Sequence, residues 1–197
     1  KRGAAYVFNV QSGTQLHKLI ASDRGVDDEF GVSVGIDGKY AIVGARFDDD
    51  SANAGGSAYI FDVQTNTQLH KLVASDPEQL VYYGTSVSIS GNYAIVGAEQ
   101  DNQVASDAGA AYIYDVRTGT QVKKITASDG AASDIFGSSV AIDGDTCVIG
   151  AQQEDAGGSN AGAAYVFTRS GTTWSQQQKL VASDAAASDN FGTSVGI

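Results

Sequence analysis

The chain has 197 residues, a formal net charge of −11 and one cysteine. That acidity argues against nucleic acid and anionic membranes as partners, and a lone cysteine rules out an internal disulfide framework. No stretch reaches the about 20 apolar residues that insert across a bilayer, so no membrane insertion is expected. No methionine occurs, even at position 1, so the chain reads as a processed product or a piece of a longer one, and no leader reports its compartment.

Taken in order, Gly3–Val10 (GAAYVFNV) reads as a strand, Gln11–Gly13 as its turn and Thr14–Ala21 (TQLHKLIA) as the return strand. Ser22–Glu29 is a polar, acidic loop. In Phe30–Ala45 (FGVSVGIDGKYAIVGA), Val32, Val34 and Ile36 alternate with Ser33 and Gly35, and Asp37-Gly38 marks a tight hairpin turn before Tyr40–Val43 returns. A second acidic loop, Arg46–Gly55, leads to Gly56–Val63 (GSAYIFDV), which restarts the cycle. The hairpin recurs as Tyr83–Ala98 and Phe136–Ala151 and begins again at Phe191. Tyr6, Tyr59, Tyr112 and Tyr165 follow one another at 53 residues, as do Gly44, Gly97 and Gly150. The step from Asp129 to Asp184 is two residues longer, an excess that fits Ser170–Trp174.

Four short strands per period, joined by tight turns or loops of about ten residues, leave no room for crossover helices and imply antiparallel neighbours. A period of this length is that of a β-propeller blade. The expectation is an all-β propeller of four-stranded blades in one segment over residues 1–197. Its repeats would be 30–82, 83–135 and 136–190, with partial ones at 1–29 and 191–197. The fifteen strands so counted make about four blades, an open part of a larger ring. Seven such blades would need roughly 370 residues, within the usual range of blade numbers. The open edges should be covered by further blades or another chain. Small residues at Gly35, Ser88, Ala141 and Gly196 suit the crowded innermost strand, and Cys147, in the slot of Ala41 and Ala94, reads as a buried small residue.

The motif residues resemble the FG-GAP repeat family, best known from the propeller of integrin α subunits. They read Phe30-Gly31 with Gly44-Ala45, Tyr83-Gly84 with Gly97-Ala98, Phe136-Gly137 with Gly150-Ala151, and Phe191-Gly192. The aromatics should wedge between blades. Arg46, Glu99 and Gln152 stand where the motif has proline. The integrin branch carries a calcium loop between the first two strands. Here that connection is only Asp37-Gly38-Lys39, Ser90-Gly91-Asn92 or Asp143-Gly144-Asp145, too short for the six to eight oxygens calcium needs. The resemblance therefore implies an integrin-like propeller without that calcium site.

Strand parity places the two classes of long loop on one face, which gathers most of the 23 acids against Arg24 and Arg46. The molecule should be electrically two-faced, attracting cations and basic partners on this side. Candidate partner-binding residues are Asp27, Asp28, Asp48, Asp49, Asp50, Asp101, Asp107, Asp134, Asp155 and Asp189. Asp48, Asp49 and Asp50 are also candidate metal ligands, with calcium the ion in view. The alternative is that these acids simply make good turns and keep the surface solvated. The ASD tripeptides ending at Asp23, Asp76, Asp129 and Asp184 read as such turns.

His17 and His70 share one strand slot, filled by Lys123 in the next copy, and read as solvent-facing. No nucleophile, phosphate-loop or metalloprotease motif appears, so no enzyme is expected. Trp174 reads as an edge-strand packing residue, with sugar or protein contact as the alternative. The resemblance implies an extracellular or cell-surface adhesion module meeting a protein or glycan on its loop face. The alternatives are a non-catalytic module of a secreted hydrolase or lyase, or an architectural subunit of a larger assembly.

Overall fold

The computed structural model describes residues 3–50, 54–76 and 79–197, and the described residues contain strands and turns but no helix. Strands β1 (Ala5–Phe8) and β2 (Gln15–Leu19) pair as a two-stranded sheet. The first complete blade runs β3 (Val34–Asp37), β4 (Tyr40–Ala45), β5 (Ser57–Asp62) and β6 (Thr67–Leu72). The second runs β7 (Tyr83–Ser90), β8 (Tyr93–Ala98), β9 (Ala110–Asp115) and β10 (Thr120–Ile125). The third runs β11 (Phe136–Asp143), β12 (Thr146–Ala151), β13 (Ala163–Ser170) and β14 (Thr173–Leu180). Each is an antiparallel meander in chain order.

The count differs from the sequence expectation by one. Phe191–Ile197 is not a strand among the described residues: Phe191 makes only a parallel bridge to Gly162. A ladder needs a partner along its length, and none lies beside residues 193–197. The extra two residues of the last copy extend one hairpin. Strands β13 and β14 have eight residues each around Gly171, against six in β9 and β10.

Because side chains alternate across a strand, the two faces of the first and second complete blades belong to two different cores. Ala41, Val43, Ala45, Tyr59 and Phe61 face β1 and β2, meeting Ala5 and Leu19. The opposite parity, Ile42, Ala58, Ile60 and Leu72, faces the second blade and meets Val87, Ile89, Val96 and Tyr112. Ile95, Ile113 and Ile125 repeat this against Val140, Ile142, Ile149 and Tyr165 of the third. The contacts concentrate on the first strand of the following blade and thin out toward the outer strands. The sheets therefore fan out as propeller blades.

The motif aromatics fill these seams. Phe30, Tyr83 and Phe136 are 4%, 0% and 0% exposed. They meet Tyr59, Tyr112 and Tyr165 edge-on, with ring centroids 5.5, 5.3 and 5.4 Å apart, a favoured aromatic geometry. Cys147 is fully buried, and burial pushes its thiol up to about 12. Trp174 is also buried, edge-on to Tyr93.

Backbone ties stitch the seams as well. Ser33, Ser86 and Ser139 donate from Oγ to the carbonyls of Gly84, Gly137 and Gly192 in the next copy, at 2.8, 2.7 and 2.6 Å. The glycine of each Gly-Ala pair is required by this approach. A Cβ on Gly97 would lie 2.0 Å from the Gly137 carbonyl oxygen and 2.4 Å from Ser86 Oγ. At the hairpin turn the demand is on the backbone alone, since Gly91 has φ +56° with open space around it.

Gly97→Ala should lower the urea-unfolding free energy by at least about 2 kcal/mol, because backbone must move apart. Gly91→Ala should cost only about 1 kcal/mol, the strain of a left-handed residue; equal losses at both sites would contradict the seam geometry. Tyr83 occupies a slot that holds phenylalanine in the sister copies, and its fully buried hydroxyl has no hydrogen-bond partner. Tyr83→Phe should therefore raise the unfolding free energy by about 1 kcal/mol in the same measurement.

Candidate partner-binding loop face

The loops joining second to third strands, and the segments that follow each outer strand, lie on one face and share left-handed positions. Left-handed non-glycine residues fall at equivalent places: Asp27, Leu80, Ser133 and Ser188; Glu29, Tyr82, Ile135 and Asn190; Ala54, Asp107 and Asn160. Asp107 thus serves a turn that its residue type tolerates. Its backbone N–H donates to Asn102 Oδ1.

Each complete blade anchors its loops through a lysine of the outer strand. In the second blade Lys124 Nζ bonds Asp76 Oδ2 and Asp101 Oδ2, both at 2.7 Å. Tyr112 Oη donates to Asp101 at 2.7 Å and to Asp76 at 3.0 Å, and the ammonium stands 5.2 Å from the ring centroid. In the third, Lys179 bonds Asp129 at 2.6 Å and Glu154 at 2.7 Å, and Tyr165 donates to Asp129. In the first, Lys71 Nζ reaches Asp23 at 2.8 Å, Asp48 at 3.1 Å and Asp50 at 2.7 Å, while Tyr59 donates to Asp48 at 2.6 Å. Asp48, Asp101 and Glu154 are 1%, 2% and 8% exposed. Buried carboxylates persist there because each receives a charge-assisted bond.

Burial by itself would raise the carboxyls of Asp23, Asp76 and Asp129. The lysine beside each outweighs it and holds all three below the ordinary value of 3.8. The tyrosine hydroxyls go the other way, raised by burial and by the adjacent carboxylates. Asp23, Asp76 and Asp129 of the ASD tripeptides thus bond across to the strands of the following blade, whereas the sequence had suggested self-contained turns. The adjoining serine amides do the same, accepted by Gln68, Gln121 and Gln176.

Other predicted residues close their own loops. Asp28, Asp134 and Asp189 each accept the backbone N–H three residues earlier, from Gly25, Ala131 and Ala186. Burial raises the carboxyls of Asp28 and Asp134. Asp155 is exposed and accepts the Asn160 N–H at 2.7 Å. Asp27 and Asp49 are exposed; Glu78, in the connection leading to β7, lies outside the described residues.

Among the described residues, the carboxylates that converge as metal ligands could are Asp23, Asp48 and Asp50, with ligand atoms within 4.8 Å of one another. Asp49 is not among them. Lys71 Nζ bonds all three, so an ammonium already supplies the cation at that point. The face is accordingly less negative than sequence parity implied, since Lys71, Lys124 and Lys179 reach into it. Their recurrence at steps of 53 and then 55 residues, the second lengthened by the same two-residue excess as Asp129 to Asp184, was the signal that would have revealed the pairing.

Of the comparisons with known proteins, the FG-GAP repeat model matches residues 14–61, 66–114, 120–167 and 174–197. The chain belongs to the FG-GAP repeat family. Each full family unit begins near the outer strand of one sheet and ends near the third strand of the next blade, so one repeat straddles a seam. FG-GAP repeats build propeller-like modules, typically for protein interaction and generally without catalysis. No curated protein matches the chain.

Lys124→Met should destabilise the protein by about 3 kcal/mol, since it strands the buried Asp101. Asp23, Asp76 and Asp129 have folded pKa values below their unfolded ones, so their contribution is complete above about pH 4 and is lost as pH falls through the folded values. The melting temperature should drop as pH falls below 3.8, and Lys124→Met should flatten that decline. A mutant curve parallel to the parent's would contradict the assignment.

Proposed function

We propose that this FG-GAP chain is a non-enzymatic interaction module that binds a basic protein segment, or a glycan, through its loop face. The reading extends, by family resemblance, to adhesion at a cell surface or in the extracellular space. The observation that carries it is the division of labour among the acids. Asp48, Asp101 and Glu154 are used up inside, fixing the loops, while Asp49, Asp155 and Asp189 remain at the surface. Loops held this way present their outer charges without an ordering cost on binding. Such a field steers cationic partners and weakens with salt.

A short lysine-rich peptide is the direct probe. Its affinity, measured by fluorescence anisotropy, should fall about two- to fivefold for each of Asp49→Asn, Asp155→Asn and Asp189→Asn, and further on adding salt. Asp143→Asn, in a hairpin turn on the opposite face, should leave it unchanged. An equal loss from Asp143→Asn would sink the loop-face assignment.

A further inference from the structure

The connection that enters each complete blade carries one buried slot, filled by Asp28, Val81 and Asp134 at steps of 53 residues. The three are 5%, 3% and 4% exposed. Their carbonyls accept the N–H of Phe47, Gln100 and Gln153 at 3.2, 3.3 and 3.4 Å. Each of those residues directly precedes the buried acid of its blade, Asp48, Asp101 or Glu154. The slot is thus tied by its backbone to the residue before a carboxylate that is itself withdrawn from water. In the second blade valine fills it, as an apolar pocket allows. In the first and third a second carboxylate is buried beside the first.

These two acids lack the compensation that their neighbours have. Lys71 bonds Asp48, and Lys179 bonds Glu154. Among the described residues the carboxylate of Asp28 accepts only the Gly25 N–H, and that of Asp134 only the Ala131 N–H. The charges around Asp134 are Glu154 from the loop after β12, Lys179 from β14 and Asp129 from its own connection. Lys179 is already shared between Asp129 and Glu154. Asp28 faces Asp48, Asp49 and Asp50, while Lys71 is divided among Asp23, Asp48 and Asp50. Arg46, next in that loop, is taken by Glu29. Burial and like charge therefore act in the same direction, toward the neutral acid.

We propose that Asp28 and Asp134 are proton-operated anchors that make the loop face respond to pH. Ionised, each is repelled by the buried acid beside it, which weakens the tie between its connection and the loop after β4 or β12. Protonated, each becomes a neutral group, as Val81 is, and the bond to Phe47 or Gln153 forms without that opposition. Burial is the largest influence on both carboxyls and holds them above the ordinary value of 3.8. Their stabilising contribution is thus complete below that value and is lost as pH rises through the raised ones. It runs opposite to that of Asp23, Asp76 and Asp129, whose folded values lie below the ordinary one. Mild acid tightens the first and third connections, and the second, with Val81, has no such acid to protonate.

An acid titration of the 197-residue chain, followed by NMR at the side-chain carboxyl carbons, reads the protons directly. Asp28 and Asp134 should take them up at higher pH than Asp23 and Asp129. Asp134→Asn keeps an oxygen to accept the Ala131 N–H and imitates the protonated state. This variant should melt about 2–4 °C above the parent at about pH 7, and no higher than the parent at about pH 3. A gain that persists unchanged in acid, no gain at neutral pH, or titration of Asp134 together with Asp129 would each overturn the proposal.

Discussion

A lysine ammonium shared between two or three carboxylates, beneath which a tyrosine hydroxyl donates to at least one of them, is the contact on which the loop face depends. In the second blade Lys124 comes from the outer strand, Asp101 from the loop between second and third strands, and Asp76 from the connection that enters the blade. One ammonium therefore fixes three chain segments that sequence separates by 23 and 48 residues. The carboxylates could not stay buried without it. The arrangement recurs in three blades, and the described loop residues repeat their left-handed positions at equivalent places.

That internal use of charge changes what an acidic surface means. A run such as Asp48-Asp49-Asp50 looks like a cation site in one dimension. In three dimensions its members separate by role: Asp48 is buried on Tyr59 and Lys71, Asp50 completes the lysine's shell, and Asp49 is exposed. The electrostatic field that a partner meets comes from the remainder.

The seams obey a different constraint, steric rather than electrostatic. Two backbones approach so closely at Gly44, Gly97 and Gly150 that a methyl group would lie 2.0 Å from a carbonyl oxygen. The Phe-Gly and Gly-Ala pairs of the family motif are thus the two sides of one contact, contributed by successive blades. The fully buried hydroxyl of Tyr83 shows that the seam wants an apolar ring at this position, which phenylalanine supplies in the sister copies.

The sequence by itself determined the repeat, the four-strand period, the hairpin turns and the residues that line the seams. These depend on alternation, on Asp-Gly turn chemistry and on a spacing of 53 residues, all of which are local or strictly periodic. Cys147 was legible in the same way, from the slot of Ala41 and Ala94 that it fills. Only the tertiary structure decided the fate of the charges, because Asp76 and Lys124 meet across a seam that no short window of sequence contains. It also showed that Phe191–Ile197, strand-like by composition, makes a single bridge at Phe191 and no ladder: a β-strand is made by its neighbour's hydrogen bonds, and intrinsic preference does not supply the neighbour.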